Sequence, residues 1–319
     1  MAKEQRKFVD DGWAFWIDGD DTSNIYLNDW LNPKKKSYVD VAIQIHGVKI
    51  SKSLHVYVPF AVSKDEIEDV SLFFRDKKFL QATFSAGCII DYMKNEYTSE
   101  IAYNGKIVDI IHISKLEPVL KDMANGTLVV VNYDHIKDYI NNDEGYFSFR
   151  LPHKSLDMVF GTYKSAVSVL SRLRDLITTP IQSEKYGYSI RVNESRHLPP
   201  EINKIGAFHR QKLNKAVVTV SVSENYEIND ANCIQIRRLE EDLYRDFAPK
   251  KFSCDDAITY QWKESRKEGE FRGTFNFYLN IKREAVSVGS MFIYLILLVV
   301  LGGFGDFFAD FVRWIVSLC

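Results

Sequence analysis

The sequence predicts an α+β, β-rich protein with two sheet-containing modules, followed by one C-terminal transmembrane helix and a short amphipathic tail helix. Three observations carry that reading. Stretches in which apolar and polar residues alternate recur along the chain before Ala285, with the period of half-buried strands. Asn104-Gly105 between two such stretches is the signature of a type I′ hairpin turn. The run AVSVGSMFIYLILLVVLGGFG from Ala285 to Gly305 carries no charge, and at about 1.5 Å per residue it spans roughly 30 Å as a helix, the thickness of a bilayer core.

In chain order, Asp11–Asp18 (DGWAFWID) reads as an aromatic-rich first strand. Asp18, Asp20 and Thr22 imitate the opening of a calcium loop, but Ser23 stands where that loop needs glycine and Asp29 where it needs glutamate, so a polar turn is expected. Asn32-Pro33-Lys34-Lys35-Lys36 is a basic loop. Val39, Val41, Ile43 and Ile45 mark one strand and Leu54, Val56 and Val58 another, and the two are expected to pair. Ser63 and Glu66 have capping-box spacing ahead of a short helix through Ile67, Val70 and Phe74. Strands are expected at Phe79–Phe84 and Cys88–Tyr92.

The Asn104-Gly105 hairpin follows, and because both phases of Lys106–Ile113 are apolar that strand belongs inside a sheet. Ser114 and Glu117 repeat the capping spacing over a short helix that ends near Asn125-Gly126. Thr127–Val131 and Tyr146–Leu151 are strands. Ala166, Val169, Leu170, Leu173, Leu176 and Ile177 form the apolar face of a helix over Ser165–Ile177, with Pro180 beyond it. The organisation that results is a β-rich module over 1–164, an α+β module over 165–284, the membrane helix over 285–305 and the tail over 306–319. In the second module, strands at Tyr186–Val192 and Ala216–Ser223 precede a helix with Ile236, Leu239, Leu243 and Phe247 on one stripe. A closing hairpin pairs the Ile258-Tyr260-Trp262 strand with the Phe271–Ile281 strand. That last strand runs into the membrane segment without a flexible linker.

With 41 basic and 43 acidic residues the 319-residue chain has no global field to recruit nucleic acid, so an anionic ligand must be met by a local patch. Cys88, Cys233, Cys254 and Cys319 are too far apart for a zinc or redox motif, and neither a metal nor a cofactor is expected. No phosphate loop, nucleophile elbow or HExxH occurs, and the scattered histidines suggest no catalytic group, so the protein is expected not to be an enzyme. Basic residues beside aromatic ones offer two candidate sites for a nucleotide or short nucleic acid: Trp30, Lys34, Lys35, Lys36 and Tyr38, and the segment Phe208, His209, Arg210 and Lys212.

The start of the chain lacks a signal peptide's apolar core. Lys282 and Arg283 precede the membrane run, whereas Asp306, Asp310 and Arg313 follow it, so a single-pass cell-membrane protein with its N-terminal part in the cytoplasm is expected. Asp306, Asp310, Arg313 and Ser317 fall on one helical face of the tail. That face either lies flat on the far leaflet or, in a homo-oligomer, lines an aqueous path. Gly302, Gly303 and Gly305 suit a kink or close helix packing.

This organisation, a cytoplasmic β-rich part joined to a minimal membrane segment, resembles the membrane effectors of prokaryotic antiphage systems of CBASS or Hailong type. The resemblance implies a ligand-regulated effector: a nucleotide or oligonucleotide signal, made or controlled by a partner protein, would drive the oligomer to permeabilise the lipid bilayer. The alternatives are a tail-anchored adaptor that recruits a partner, and a membrane-bound hydrolase.

Overall fold

Two facing β-sheets share one apolar interior. The computed structural model describes residues 7–19, 22–32, 36–84, 89–91, 95–103, 105–156, 181–222, 226–228, 233–250, 252–265 and 273–286, and beyond them 291, 292, 294–296, 298–300, 302, 303, 305, 310, 313 and 314. The first strands are β1 (Lys7–Ile17), β2 (Thr22–Trp30), β3 (Tyr38–His46) and β4 (Ser53–Val58). β5 (Ile89–Asp91), β6 (Thr98–Tyr103), β7 (Lys106–Ile111), β8 (Val119–Met123), β9 (Gly126–Asn132) and β10 (Glu144–Pro152) follow. The last are β11 (Ile181–Val192), β12 (Lys212–Val222), β13 (Tyr226–Ile228), β14 (Gln235–Arg238), β15 (Ile258–Ser265) and β16 (Phe275–Val286). Short helices named among the described residues are α1 (Lys77–Phe84), α2 (Gly206–Arg210) and α3 (Glu241–Tyr244).

The seven-stranded sheet has the order β13-β16-β11-β1-β4-β9-β8, and the nine-stranded sheet the order β14-β15-β12-β2-β3-β10-β7-β6-β5. The chain takes one path twice. β1 lies in the first sheet, β2 and β3 in the second and β4 in the first again; β11, β12, β15 and β16 repeat the circuit, with the edge strands β13 and β14 inserted between β12 and β15. The two circuits meet side by side through parallel pairs, β1 with β11 and β2 with β12. Each sheet therefore draws strands from both sides of the 164/165 division.

Alternation explains the core. Trp13, Phe15 and Ile17 of β1, Val39, Val41, Ile43 and Ile45 of β3, and Phe275, Phe277, Leu279 and Ile281 of β16 all point between the sheets, and all belong to the same buried cluster. The opposite phases are covered separately. Ala42, Ile110 and Tyr146 pack beneath Val70, Phe74, Phe79 and Phe247, while Ala14 and Trp16 pack beneath Leu198, Ile202 and Phe208. The predicted hairpin is present as β6 and β7, with Gly105 at φ +74, a backbone setting that glycine adopts without strain.

Several expectations need correction. β3 and β4 do not pair; they lie in different sheets. β15 and β16 likewise do not form a hairpin, since β15 pairs with β12 and β14, and β16 with β11 and β13. Phe79–Phe84 is helical, within α1. The helical stripe expected through Ile236 divides between β14 and α3. Val119–Met123 is a strand where a short helix was expected, and Thr22–Trp30 is a strand where a turn was expected. The helix expected over 165–177 lies outside the described residues.

The largest correction concerns the C-terminus. β16 continues through Ala285 and Val286, which pair with Gln182 and Ile181, so the strand takes the first residues of the apolar run. Beyond it, among the described residues, no helix is long and apolar enough to cross a membrane. This overturns the expected transmembrane helix, and with it the single-pass membrane location, the tail anchor and the pore. Asp310 and Arg313 do form an exposed i,i+3 ion pair at 3.6 Å. Gly302, Gly303 and Gly305 have open space where a side chain would stand. Asp306 and Ser317 lie outside the described residues.

Candidate functional site: a polar cleft where β1 parts from β11

The parallel β1–β11 pairing ends at Trp13 opposite Val192. There Asn193 takes a left-handed backbone (φ 56), a conformation asparagine tolerates better than most residues, and the chain turns out of the sheet. Beyond Trp13, β1 would leave backbone groups unpaired on that side, at a cost of about 1–3 kcal/mol for each buried one. Two side-chain amides replace the missing strand. Asn193 Oδ1 accepts from Phe15 N at 2.7 Å, and Asn193 Nδ2 donates to Phe15 O at 2.9 Å. Gln211 Oε1 accepts from Ile17 N at 2.9 Å.

Between these two amides, residues 194–210 fold over the outer face of the seven-stranded sheet. Gly12 permits the close approach, because a Cβ there would lie 2.2 Å from the His197 carbonyl oxygen. Phe208 on α2 anchors the segment, its ring meeting Trp16 edge to face with centroids 5.9 Å apart. With Phe208 held down, the next residues, His209 and Arg210, are exposed, as is Lys212 at the start of β12.

These residues line a cleft of about 650 Å³, closed on its other sides by Asn193 and Ser195 after β11 and by Gly273 and Thr274 before β16. His209 Nε2 donates to Asn203 O at 2.7 Å, which orients its ring against Phe208. Nearby, Arg191 and Arg196 are engaged with Glu194 at 3.2 and 3.0 Å. Burial raises the Glu194 pKa, but hydrogen bonds from those two arginines outweigh it and hold the carboxyl below the usual range. The cleft thus presents an imidazole, a guanidinium and an ammonium beside an amide and two hydroxyls, a donor set suited to an anion.

Of the residues singled out from sequence, His209, Arg210 and Lys212 come together here, with Phe208 as their anchor. Phe208 is itself buried, so its ring is packing surface and not a stacking platform. The other group does not assemble with them. Trp30 is buried and donates from Nε1 to Asp40 at 2.8 Å. Tyr38 packs partly buried against Trp30's cluster, Lys36 is exposed, and Lys34 and Lys35 lie outside the described residues. β2 is nine residues long, so at about 3.3 Å per residue Trp30 lies roughly 26 Å from the cleft end of that strand. Asn193, Ser195, Gly273 and Thr274 were not foreseen. The one signal for them was the asparagine directly after a strand, a turn-forming residue in position to leave the sheet.

Two serine–histidine groupings bear on catalysis. Ser71 Oγ donates to Asp69, so it accepts from His112 Nδ1 at 2.9 Å, leaving His112 Nε2 to accept from Ser99 Oγ at 2.9 Å. The order of bonds is that of a proton relay, but Ser71, Ser99 and His112 are all buried, which denies a substrate access to either hydroxyl. The second grouping is Ser53, His55 and Asp18, in which serine and aspartate both approach the same nitrogen, Nε2, at 3.0 and 3.4 Å. A base oriented through its other nitrogen needs the two partners on opposite sides of the ring.

His112 instead makes stability pH-dependent. Burial lowers its pKa below 6.5, outweighing the attraction of Asp69. The unfolded chain therefore binds the proton more tightly, and stability is lost as pH falls below 6.5 towards the depressed folded value. His55, also lowered by burial, adds a contribution of the same sign. Urea midpoints measured from pH 7.5 to 5.5 should fall in the natural protein and fall less steeply in His112→Gln.

The fold and site together describe a two-sheet β sandwich with a basic, polar cleft at the point where its parallel strands separate. No family model and no curated protein matches the chain. Among solved structures, it can be set beside the Fcho1 Mu homology domain of Danio rerio with a bound Eps15 peptide, at 6% identity, covering 89% of this chain and 82% of that one, with a TM-score of 0.10. A TM-score that low carries no argument about fold or function.

Proposed function

We propose that this protein is a non-enzymatic ligand-binding module whose cleft takes a small phosphate-bearing ligand of the nucleotide class. The observation that carries this reading is the placement of Arg210 and Lys212 with His209 on one wall of the cleft. Both flank a buried glutamine that is bonded to β1, so the backbone that carries the cationic side chains is held in place before a ligand arrives. Arginine and lysine are the usual partners of phosphate oxygens. A cleft of about 650 Å³ lies within the range of roughly 300–1,000 Å³ that small ligands occupy. The exposed His209 ring supplies a surface on which a base stacks.

Calorimetric titration of the full chain with ATP, a short oligoadenylate and pyrophosphate tests the reading. At least one should bind, more weakly as salt rises. Arg210→Ala and Lys212→Ala should each weaken it about tenfold or more, the loss of a charge-assisted hydrogen bond worth about 1.5–3 kcal/mol. Absence of binding by all three, or binding unchanged in the Arg210→Ala/Lys212→Ala double variant, contradicts it.

A further inference from the structure

Gln211 has two roles at once. Its backbone and neighbours form the cleft wall, while its buried side chain joins the two sheets at the β1–β2 corner. Oε1 accepts from Ile17 N at 2.9 Å in the seven-stranded sheet, and Nε2 donates to Ser23 Oγ at 3.1 Å in the nine-stranded sheet. Nε2 also donates to Lys212 O at 3.0 Å, and Gln211 N donates to Phe208 O at 3.2 Å. The same amide therefore sets the directions in which Arg210 and Lys212 leave the backbone. Opposite, the Gly273 backbone comes close to this residue, since a Cβ added there would lie 3.1 Å from Gln211 O.

We propose that occupancy of the cleft and closure of the β1–β2 corner are coupled through Gln211, with Ser23 as a positioning residue that lies outside the cleft. This inference rests on the cleft binding a phosphate-bearing ligand. Ser23 is buried and its hydroxyl holds the glutamine amide in one orientation. Without it, Gln211 keeps its bonds to Ile17 N and Lys212 O but loses the one that ties it to the nine-stranded sheet, so the amide is held less firmly, Ile17 N loses its acceptor part of the time, and the basic wall is less well placed. Coupling is reciprocal, so a ligand that favours the ordered wall must also favour the closed corner.

The experiment combines amide exchange and ATP titration on the full chain. Without ligand, Ser23→Ala should speed exchange at Ile17. An unchanged Ile17 rate in that variant overturns the coupling whatever ATP does. With ATP, Phe15 and Ile17 should gain protection relative to Val56 and Val129, and Ser23→Ala should weaken ATP binding about fivefold, the effect of one neutral hydrogen bond. Ser23→Thr should restore it. Thr259→Val, which removes a buried hydroxyl bonded to Ser221 in another part of the sheet, should leave ATP affinity unchanged. If it weakens ATP as much as Ser23→Ala does, the effect is one of general stability and the coupling is wrong. ATP binding equally to the natural protein and Ser23→Ala overturns the coupling but leaves the cleft reading standing, and failure of the natural protein to bind ATP, oligoadenylate and pyrophosphate alike removes both.

Discussion

Replacing Arg150 with alanine should lower the unfolding free energy by about 3–5 kcal/mol, the usual cost of leaving one member of a buried ion pair without its partner. Arg150 on β10 is almost wholly buried on the outer face of the nine-stranded sheet. Its Nε donates to Asp40 Oδ1 at 2.5 Å and its Nη2 to Asp40 Oδ2 at 3.0 Å, a two-pronged grip across the β3–β10 pair. Nη2 also reaches Phe247 O at 2.8 Å, fixing the segment after α3 to the sheet. The guanidinium stands 5.9 Å from both the Trp30 and the Phe73 ring centroids. Burial alone would lower the Arg150 pKa, but Asp40 and Glu68 outweigh it and keep the group charged. Alanine strands Asp40 in the interior. In contrast, Arg150→Met combined with Asp40→Asn, which keeps an acceptor for Trp30, should recover much of the loss. Urea denaturation of the two variants decides the matter: equal midpoints would show that the stranded Asp40 charge does not set the cost.

A loss of similar size is expected from His153→Leu, again about 3–5 kcal/mol. Asp29 on β2 and His153 at the end of β10 are both fully buried and joined at 2.8 Å through His153 Nδ1. Across the interior, Tyr188 of β11 meets His153 Nε2 at 3.2 Å, so this polar group links the two sheets. The rings of Trp13 and Phe60 close around it, with centroids 5.6 and 5.5 Å from the imidazole. Leucine fills the space and leaves the Asp29 carboxylate without its imidazole. His153→Asn, whose side-chain N–H can stand in for Nδ1–H, should cost less than His153→Leu. If both cost the same, the Nδ1–H bond to Asp29 is not what the site requires.

The strands were far easier to read from sequence than their partners, for a physical reason. Alternation tells which side chains face a core, but here both sheets face the same one, so Val39–Ile45 and Leu54–Val58 look alike although they lie in different sheets. β2 was hidden because its inward phase is Ser23, Ile25, Leu27 and Asp29, polar at both ends, and Asp29 is inward to meet His153. The stripe through Ile236, Leu239 and Phe247 has helical spacing by coincidence: Ile236 is exposed on an edge strand, while Leu239 and Phe247 enter two different clusters. Hydrophobicity after Ala285 suggested a spanning helix, yet β16 extends into that run because β11 offers a long partner edge. For the cleft, the basic wall was legible since its residues are neighbours in sequence. Its other walls come from the ends of β11 and β16, which only the sheet order brings together.

The cleft's role as a nucleotide site is tested most directly by photocrosslinking the full chain with 8-azido-ATP and mapping the modified peptides. Label should fall within residues 193–212 or on Gly273 and Thr274, should be competed away by ATP, and should fall sharply in Arg210→Ala/Lys212→Ala. Label confined to other segments, or undiminished by excess ATP and by the double substitution, would contradict it.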